Sequence, residues 1–389
     1  MSEMRYLVIG SGMTGHAAAA AIREVDPGGR IEMVGADPER PYARPPLSKG
    51  LWFGKPEESV WLADIPGLEL LPGTRIVSID VEARKALDER GKAHPYDRLL
   101  LATGGTPRRL PFGGERVVYF RTLADFRRLR AVTGRRAVVL GGGFIGSEVA
   151  AALASDGREV AMVFPEAAIG ARTYPADLAA FVTRTFEEKG VRLHPSDAAV
   201  GIEPRGEGTL VRTRGGSEIV ADVVVAGLGI VPDVDLARGA GILCQNGIVV
   251  SERLETSAPG VFAAGDVACF LSEALGGPVR VEHEDAALTT GRCAGRNMAG
   301  VAEPYAHLPF FYSDLFDLGY EAVGRLDSRL ETVCSWKKPY REGIVYYLEG
   351  DRVRGVLLWG TFGQVDAARA LLGGGGPVSR DALQDAIRT

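Results

Sequence analysis

Two stretches of the chain share one order of apolar, glycine and helix-forming positions. YLVIGSGMTG (6–15) is a run of strand-forming residues that ends in GxGxxG and leads into an alanine-rich helix beginning near Thr14. VVLGGGFIGSEVAAAL (138–153) repeats that order. An apolar run that meets a glycine-rich turn and then a helical pattern is typical of the start of a βαβ unit. We therefore predict two such units in one chain.

The likeness extends beyond the glycine-rich turns. The first turn is followed by a second strand, IEMVG (31–35), and later by DRLLLATGG (97–105), an apolar strand that ends in glycine. EVAMVF (159–164) and DVVVAGLGI (222–230) occupy the same places in the second copy. A single GxGxxG is weak evidence, whereas two copies in matching surroundings predict two dinucleotide-binding units. The glycines are Gly10, Gly12 and Gly15 in the first copy and Gly141, Gly143 and Gly146 in the second.

Each unit also offers a carboxylate for an adenosine ribose. Glycines let the backbone approach a pyrophosphate, and the following helix points its unpaired N–H groups at the anion. The ribose acid lies about 20 residues further on. Asp37 takes this place in the first unit, and Glu166, in FPEAAIG, takes it in the second. Glu166 would repel a 2′-phosphate and favour NADH over NADPH, although the neighbouring Arg172 could reverse that preference. The alternative for Glu166 is a solvated loop residue.

A third glycine signal lies outside both copies. LETSAPGVFAAGDVACF (254–270) contains an apolar strand that ends in Gly265 and Asp266. Open α/β sheets bind ligands at the carboxyl ends of their strands. We therefore expect Asp266 to accept a hydrogen bond from a ligand hydroxyl, such as one on a ribityl chain.

The proline-rich stretch PYARPPLSKG (41–50) predicts an immobilised lysine. Proline fixes φ and removes a backbone donor, so we expect a stiff, irregular loop that holds Lys49 in one place. The alternative is a solvated loop lysine. Glu148 lies five residues after Gly143, which predicts a position on the first turn of the second glycine-rich helix. The alternative for Glu148 is an ordinary helix-start carboxylate, which the helix dipole favours.

The length and net charge of the chain indicate several domains and argue against a nucleic-acid-binding protein. At 389 residues the chain exceeds the size of a single hydrophobic core, so we expect two or three domains. A net charge of −5 gives no global basic field for collecting phosphates, which argues against a nucleic-acid-binding protein. A local basic patch remains possible in one arginine cluster, composed of Arg127, Arg128, Arg130, Arg135 and Arg136.

The cysteines and histidines give no sign of a metal site or a redox disulfide. The four cysteines lie far apart without CxxC or CxxxxC spacing, and the five histidines are scattered, so we predict no metal and reduced thiols. The apolar start is broken by glycines and followed by charges, unlike a signal peptide. No segment has the ~18 uncharged apolar residues of a membrane span. We therefore expect a cytoplasmic protein.

The motifs together resemble a known family. TSxxGxxAAGD (256–266), the first GxGxxG and the ATGG stretch (102–105) resemble the FAD-binding set of the two-dinucleotide flavoprotein reductases, the glutathione reductase superfamily. Members that reduce disulfides carry CxxxxC after the second strand of the FAD domain, where this chain has PYARPPLSKG. The chain therefore resembles the cysteine-free branch, the ferredoxin reductases of oxygenase systems and the apoptosis-inducing factor group. Several stretches resemble the apoptosis-inducing factor group more than the ferredoxin reductases: RPPLSKGLW, GGGFIGSE, VAMVFPE, AGDVACF, VEHEDAA and SDLFDLGYEAVG.

The resemblance implies FAD and NAD(H) as cofactors and assigns residues to each. Lys49 would sit beside flavin N5 and pair with Glu148 across the domain boundary, while Phe144 would lie against the flavin face and move or stack as the nicotinamide arrives. A buried lysine needs such a partner, because an isolated buried charge is costly. His283 is assigned no proton transfer. The implied FAD residues are Gly10, Gly12, Gly15, Asp37, Arg44, Lys49, Thr103, Gly104, Gly265, Asp266, Glu282, His283 and Tyr312, and the implied NAD residues are Gly141, Gly143, Phe144, Ile145, Gly146, Glu166 and Gly229.

The family layout implies an α/β protein with two Rossmann-like three-layer domains, one inserted in the other. It places an FAD domain at about 1–113 and 233–307 and an NAD domain at about 114–232. A small C-terminal α+β domain would cover about 308–389, where alternating stretches such as GIVYYLEG (343–350) read as an antiparallel sheet. Such a protein would be a monomer or a homodimer.

The expected reaction is hydride transfer from NADH to flavin N5, followed by electron transfer to a small iron–sulfur protein or a quinone. The alternative is a redox sensor like apoptosis-inducing factor, in which a long-lived complex of NADH with reduced flavin changes oligomeric state or partner binding. PFFYSD (309–314) places Tyr312 where ferredoxin reductases typically have tryptophan, which weakens the analogy in one-electron transfer. The alternative for these aromatic residues is packing at a domain interface.

Overall fold

The computed structural model describes residues 3–387. The chain divides into two compact units. The first takes in the residues up to Ala43, Glu58–Thr106 and Val231–Phe310, and the second takes in Arg44–Glu57, Pro107–Ile230 and the chain from Phe311 onward. The three-domain division drawn from the sequence stays a prediction.

A five-stranded parallel sheet forms the core of the first unit. The strand Arg5–Ile9 lies at its centre, and Ile9 pairs with Val34 on one side and Leu101 on the other. Its strands are almost wholly apolar, as expected for strands buried on both faces. In spatial order they are Val261–Ala263, Arg98–Leu101, Arg5–Ile9, Arg30–Gly35 and Leu68–Pro72.

Two helices of the first unit pack closely against each other. Helix Met13–Val25 follows the central strand, and helix Glu284–Met298 crosses it where Gly291 and Gly295 meet the backbone of Thr14 and Ala18. A side chain at either glycine would collide with that backbone, so the crossing depends on glycine. The remaining elements are an antiparallel sheet of Ile76–Asp80, Lys85–Asp88 and Ala93–Pro95, a four-stranded sheet of Cys244–Gln245, Gly247–Val249, Ala268–Ser272 and Gly277–Val279, and helix Asp235–Gly239.

The second unit contains a parallel sheet with the same arrangement around its own central strand. Arg136–Leu140 is flanked by Glu159–Val163 and Val223–Ala226, as Arg5–Ile9 is flanked in the first unit. The internal repeat and the α/β class predicted from the sequence are therefore confirmed. The sheet runs Arg192–His194, Glu159–Val163, Arg136–Leu140, Val223–Ala226 and Val117–Tyr119, with helices Leu123–Arg130, Phe144–Ser155 and Ala176–Glu188 and an antiparallel sheet of Ala199–Arg205, Gly208–Thr213 and Glu218–Ala221.

The C-terminal region is an antiparallel sheet followed by helices, as the alternating sequence predicted. Its central strands carry a fully buried aromatic cluster that includes Tyr320, Tyr347 and Trp359. The strand order is Phe310–Leu315, Leu318–Gly324, Arg352–Trp359, Glu342–Glu349 and Glu331–Lys338, and the helices are Val365–Gly373 and Arg380–Leu383. Short connecting strands lie at Gly105–Pro107 and Ile230–Pro232. No helix within residues 3–387 combines the length and apolar character needed to cross a membrane.

Two local expectations are corrected. The stretch PYARPPLSKG is not irregular, because Pro45–Ser48 and Gly50–Phe53 form two 3₁₀ helices that meet at Lys49. Pro45 and Pro46 stand in the first turn of the first of these helices. There their fixed φ suits a helix and their missing N–H groups are not needed. Glu148 is the fifth residue of helix Phe144–Ser155 and so lies beyond its first turn, which contains no acidic residue.

Candidate functional site

The first glycine-rich turn is shaped by close backbone contacts. Gly10 has φ +116°, and a Cβ there would stand 2.1 Å from the carbonyl oxygen of Ala102. A Cβ on Gly15 would stand 2.0 Å from the carbonyl oxygen of Gly10. Gly12 is the N-cap of helix Met13–Val25, which has neither a capping side chain nor an acidic residue in its first turn. The helix start therefore keeps its positive dipole end for an anion.

The second turn repeats these contacts, with one informative exception. Gly141 has φ +111°, and its Cβ would stand 2.4 Å from the carbonyl oxygen of Gly227. Gly143, in contrast, has an ordinary φ of −86°, and apart from its own local backbone and chain neighbours no described atom lies within 4 Å of the place where its Cβ would be. Packing of the protein therefore does not explain why position 143 is glycine. A pyrophosphate held close against this helix start fits that space.

The two predicted ribose acids have different partners. Asp37 accepts hydrogen bonds from the backbone N–H of Glu39 at 3.1 Å and from the hydroxyl of Tyr42 at 2.8 Å. Glu166 instead forms an ion pair of 2.6 Å with Arg172, whose side chain is 82% exposed. Asp37 follows strand Arg30–Gly35 and Glu166 follows strand Glu159–Val163, and each acid retains lone pairs for a ribose.

The third glycine signal joins the first glycine-rich turn inside the first unit. Gly265 has φ +73°, its N–H donates to the hydroxyl of Thr290 at 2.9 Å, and a Cβ there would meet the Thr14 hydroxyl at 2.2 Å. The strand end is thereby held against helix Met13–Val25. Asp266 follows in a short 3₁₀ turn at the carboxyl end of the strand, which is the place where a hydroxyl-bearing ligand fits such a sheet.

Other residues predicted for FAD are distributed over both units. Thr103 donates to the carbonyl oxygen of Asp233 at 2.8 Å, and the carbonyl oxygen of Gly104 accepts from the N–H of Asp233 at 3.0 Å. Glu282 pairs with Arg280 at 2.6 Å. His283 is the N-cap of helix Glu284–Met298. Three further predicted FAD residues, Arg44, Lys49 and Tyr312, belong to the second unit.

The electrostatics of His283 agree with a structural rather than a proton-transferring side chain. Desolvation lowers the pKa of His283 from 6.5 to about 4, and the nearby carboxylates of Asp266 and Asp285 offset this only in part. The imidazole is therefore neutral at neutral pH.

Lys49 is fixed by the packing of its own segment. Its carbonyl oxygen accepts from the N–H of Trp52 at 2.9 Å, and the Trp52 indole N–H donates to Leu47 at 2.7 Å. The indole ring packs edge-on against Phe126, with ring centroids 5.4 Å apart, and Arg130 lies over it at 5.1 Å. The segment is therefore held by 3₁₀ hydrogen bonds and aromatic packing as well as by proline, and its stiffness stays a prediction.

A buried ion pair joins Lys49 to helix Phe144–Ser155. The Nζ atom of Lys49 lies 2.5 Å from Oε1 of Glu148, and the two side chains are only 14% and 5% exposed. The pair expected from the resemblance is present. Both residues belong to the second unit, so the pair lies within one compact unit. That the pair also joins the predicted FAD and NAD domains stays a prediction.

Two serines complete the surroundings of Glu148. Ser48 Oγ donates to Oε2 at 2.6 Å, and Ser313 Oγ donates to Oε1 at 2.6 Å. Neither serine was predicted from the sequence, although each stands beside a residue that was, Lys49 or Tyr312. Serine in a loop or at a strand is common, so neither position carries a sequence signal of its own.

Aromatic side chains border this cluster within the second unit. The Lys49 ammonium lies 5.1 Å from the ring centroid of Tyr312, which is 36% exposed. Phe144 is the first residue after Gly143, is 38% exposed and contacts Phe311 edge to face at 5.3 Å. Ile145 is likewise exposed for a large apolar residue. Exposed apolar groups directly beside a helix start fit a site that covers a nucleotide base.

Three of the five arginines in the cluster form ion pairs, and the other two donate to carbonyl oxygens and keep an uncompensated positive charge. Arg127 pairs with Glu57 at 2.6 Å, and Arg130 pairs with Asp156 at 2.9 Å. The other three are also engaged: Arg136 with Asp222 at 2.5 Å, Arg135 with the carbonyl oxygen of Gly157 at 2.9 Å, and Arg128 with that of Glu115. Elsewhere in the second unit, Gly229 has φ +78° and accepts from the N–H of Arg108 at 2.9 Å.

Chemistry based on a thiol pair finds no support in the described part of the chain. All four cysteines there are free, and desolvation raises the pKa of Cys293 and of Cys334 to about 11. These two thiols are therefore protonated at neutral pH.

Comparisons with known proteins agree with this geometry. Residues 4–291 match the family described as pyridine nucleotide-disulphide oxidoreductase, and residues 294–342 match the C-terminal region described as apoptosis-inducing factor, mitochondrion-associated. The chain is 35% identical to the ferredoxin–NAD(+) reductase component of the anthranilate 1,2-dioxygenase system of Burkholderia cepacia over 401 residues, covering 99% of this chain and 98% of that one.

Two further similarities extend over nearly the whole chain. Apoptosis-inducing factor 1, mitochondrial, of Dictyostelium discoideum is 32% identical over 421 residues, covering 96% of this chain and 79% of that one. Among solved structures, the covalent putidaredoxin reductase–putidaredoxin complex superimposes with a TM-score of 0.92 at 30% identity, covering 99% of this chain and 96% of that one.

Proposed function

The chain belongs to the pyridine nucleotide-disulphide oxidoreductase family, and on that premise we propose that it passes electrons from NADH, through bound FAD, to a small iron–sulfur protein. It is an NAD(H)-dependent flavoprotein oxidoreductase of the ferredoxin-reductase-like kind. The observation that carries the proposal is the buried pair of Lys49 and Glu148 on the helix that begins at the second glycine-rich turn. This ion pair fixes the Lys49 ammonium in place, and its charge does not depend on a cysteine thiol.

Each cofactor has residues that fit it. NADH would be held by the helix start at Gly143, with Glu166 on the adenosine ribose. FAD would be held by the turn at Gly10 to Gly15, with Asp37 on the ribose and Asp266 on the ribityl chain. When both are bound, NADH and FAD supply a hydride transfer and the storage of two electrons on the flavin.

The protein contributes position and charge to that chemistry. The Lys49 ammonium is held by Glu148 and by its 3₁₀ segment, so it presents a fixed positive charge that needs no reorganisation. We propose that this charge stabilises the flavin ring as negative charge develops on it. Phe144 covers the approach to the helix start and excludes water from a bound nicotinamide. No side-chain nucleophile or general base is required.

The acceptor is proposed from chemistry and from relatives. A flavoprotein without a dithiol hands its electrons to a separate acceptor, and the relatives include a ferredoxin–NAD(+) reductase component and a reductase complexed with putidaredoxin. Their partners support a ferredoxin-type acceptor for this chain over a quinone. Tyr312, exposed beside Lys49, offers an aromatic contact in place of the tryptophan typical of ferredoxin reductases.

A second function has specific support. The match of residues 294–342 to the apoptosis-inducing factor C-terminal region, together with the Dictyostelium relative, favours an NADH redox sensor whose output is a change in oligomeric state or partner binding. Both functions use the same cofactors and residues. They differ in how long the protein stays reduced.

An anaerobic titration separates the two functions. The purified flavoprotein would receive one equivalent of NADH without oxygen, and then air, a ferredoxin or a quinone, while flavin and long-wavelength absorbance are followed. Rapid transfer to ferredoxin, faster than to quinone or oxygen, is the expected result. A long-wavelength band that persists for many minutes in air, with a shift in oligomeric size, would establish the sensor instead. Flavin that NADH does not bleach would overturn both.

A further inference from the structure

A surface cavity of the first unit is lined by three arginines. Arg84, Arg98 and Arg253 border a space of about 330 Å³, together with one carboxylate, that of Glu255. All four residues belong to the first unit, although they come from two distant parts of the chain. The volume lies at the lower end of the ~300–1,000 Å³ that is usual for small-molecule sites, so the cavity suits a small ligand.

These arginines differ from most others in the chain because carboxylates do not neutralise them. Arg127 and Arg136, for example, each form an ion pair, whereas none of the three cavity arginines forms one within residues 3–387. The Arg98 guanidinium donates to the carbonyl oxygen of Asp97 at 3.0 Å. The Asp97 carboxylate is itself bound by Arg5 at 2.9 Å. The cavity therefore carries positive charge that the protein leaves available to an anion.

The negative charge around the cavity is smaller than the positive charge. Glu255 is the one acid among the described residues of the lining, and its Oε1 accepts from the N–H of Gly260 at 2.7 Å. Helix Glu284–Met298 ends at the cavity, where Asn297 donates to the carbonyl oxygen of Arg253 at 2.8 Å. A helix C-terminus adds about half a negative charge, so about 1.5 positive charges remain uncompensated.

The cavity lies at the edge of the parallel sheet where two paired strands begin. The N–H of Leu99 donates to the carbonyl oxygen of Gly260 at 3.0 Å, at the start of strands Arg98–Leu101 and Val261–Ala263. These strands run from the cavity towards the predicted FAD residues, such as Gly265. Three or four strand residues span ~10–13 Å, so an anion in the cavity would not occupy the predicted cofactor site.

Unusual backbone conformations surround the cavity. Arg84 and Ala302 belong to its lining and have φ +50° and +60°, and Leu254, between two lining residues, has φ +61°. They are half of the six non-glycine residues with positive φ in the described part of the chain. Such conformations are rare for L-residues and cluster at binding sites. The backbone therefore supports a built site over a chance group of surface charges.

We propose that this cavity binds a small soluble anion that carries phosphate, at a site separate from both predicted dinucleotide sites. Guanidinium groups present a fork of donors that matches phosphate oxygens. Phe262, the aromatic residue of the lining, is buried and offers little ring surface to a nucleotide base. The phosphate group itself is therefore the recognised chemistry. This binding site does not depend on the function proposed above.

The test uses the purified flavoprotein and inorganic pyrophosphate as the probe. Binding would be followed by calorimetric titration with NAD⁺ present at saturation, so that pyrophosphate cannot bind at the second glycine-rich turn. Wild type should bind one pyrophosphate per chain, and Arg84→Gln and Arg253→Gln should each weaken that binding about tenfold, the effect of one hydrogen bond to a charged group. Arg238→Gln, which removes an exposed charge elsewhere in the first unit, is the matched control and should bind as wild type does.

Two further variants distinguish electrostatic recognition from a disturbed fold. Glu255→Gln keeps the oxygen that accepts from Gly260 and removes the negative charge, so pyrophosphate should bind about fivefold more tightly, within the range of an interaction between exposed charges. A disturbed fold would not tighten binding. Arg84→Lys keeps the charge but loses the fork of donors, so its affinity should lie between those of wild type and Arg84→Gln.

Several outcomes would overturn the proposed anion site. They are a wild type that does not bind pyrophosphate beside NAD⁺, an affinity that is unchanged in both glutamine variants of the arginines, and binding to phosphatidate vesicles without binding to pyrophosphate, which would assign the site to a lipid headgroup. Flavin reduction by NADH, measured without added anion, should be the same in the arginine variants and wild type. If NADH fails to reduce the wild type while the variants still weaken pyrophosphate binding, the proposed function is wrong and the anion site stands.

Discussion

The two ribose acids of the proposed cofactor sites are held in different ways. Asp37 is fixed by neutral donors of the protein, a backbone N–H and the Tyr42 hydroxyl. Glu166 is paired with an exposed arginine that the protein holds much less firmly. An exposed ion pair is worth little and can be exchanged cheaply. The contrast fits a preorganised site for a resident cofactor, FAD, and an adaptable site for NADH, which must enter and leave at every turnover.

The largest expected effect comes from the proposed FAD site. Gly10→Ala would place a Cβ 2.1 Å from the Ala102 oxygen at a φ of +116°, so the turn cannot form without displacing the chain at the end of strand Arg98–Leu101. We expect a loss of at least about 3 kcal/mol in the free energy of unfolding, together with loss of bound FAD. Thermal melting and the flavin content per chain would measure both. Gly28→Ala is the matched control, since its Cβ meets no atom closer than 3.9 Å.

The next effect concerns chemistry and not binding. Glu148→Gln removes the charge that holds Lys49 while keeping the shape of the side chain, so flavin reduction by NADH should slow about 100-fold with FAD still bound. Rapid-mixing kinetics at saturating NADH would show this. Glu188→Gln, at the exposed end of helix Ala176–Glu188, is the control. An unchanged reduction rate in Glu148→Gln would remove the ion pair from the mechanism.

Substitutions at Gly141 and Gly143 of the second glycine-rich turn should have different effects, one on stability and the other on NADH binding. Position 143 has an ordinary φ and open space around it, so the Gly143→Ala variant should match wild type in stability and FAD content. Its NADH binding should weaken at least about tenfold, because the added methyl group occupies the space proposed for the pyrophosphate. Gly141→Ala, two residues away, should instead destabilise the protein, since its Cβ would stand 2.4 Å from the Gly227 oxygen. Melting curves and NADH titrations would compare them. Unweakened NADH binding by Gly143→Ala would place the dinucleotide elsewhere.

The same glycines show what could be predicted from the sequence. The two βαβ units were predictable because strand, turn and helix signals are local and occur twice. The surroundings of Glu148 were not, because Ser313 is 165 residues away in the chain and a hydroxyl adds nothing to hydrophobic periodicity. The ion pairs of the arginine cluster could not be predicted for the same reason. Three of its charges are compensated by partners such as Asp222, 86 residues from Arg136, which only the fold brings into contact.

A smaller effect should appear in the choice of dinucleotide. Arg172→Ala releases Glu166 from its ion pair and leaves an unopposed carboxylate near the ribose, so the preference for NADH over NADPH should rise about fivefold, within the range of an exposed pair. Glu166→Gln should shift the preference towards NADPH by a similar factor, since Arg172 then faces the 2′-phosphate alone. Dissociation constants for both dinucleotides would be measured. Ratios that stay constant in both variants would place the adenosine ribose away from this pair.

The response to acid should reveal the burial of His283 in the first unit. His283 of the first unit has a folded-state pKa of about 4, below its ordinary 6.5, so the unfolded chain binds the extra proton between these values. Its contribution to stability is complete above pH 6.5 and is lost as the pH falls towards 4, by up to about 1.4 kcal/mol per pH unit. His283→Gln cannot take up that proton, so its melting temperature should fall less than that of the wild type over this range. Because all other titrating groups are shared, parallel curves would show that His283 is not desolvated in the folded protein. A flatter curve for the variant, with flavin retained, would instead locate part of the acid sensitivity at the helix that begins beside the proposed FAD site.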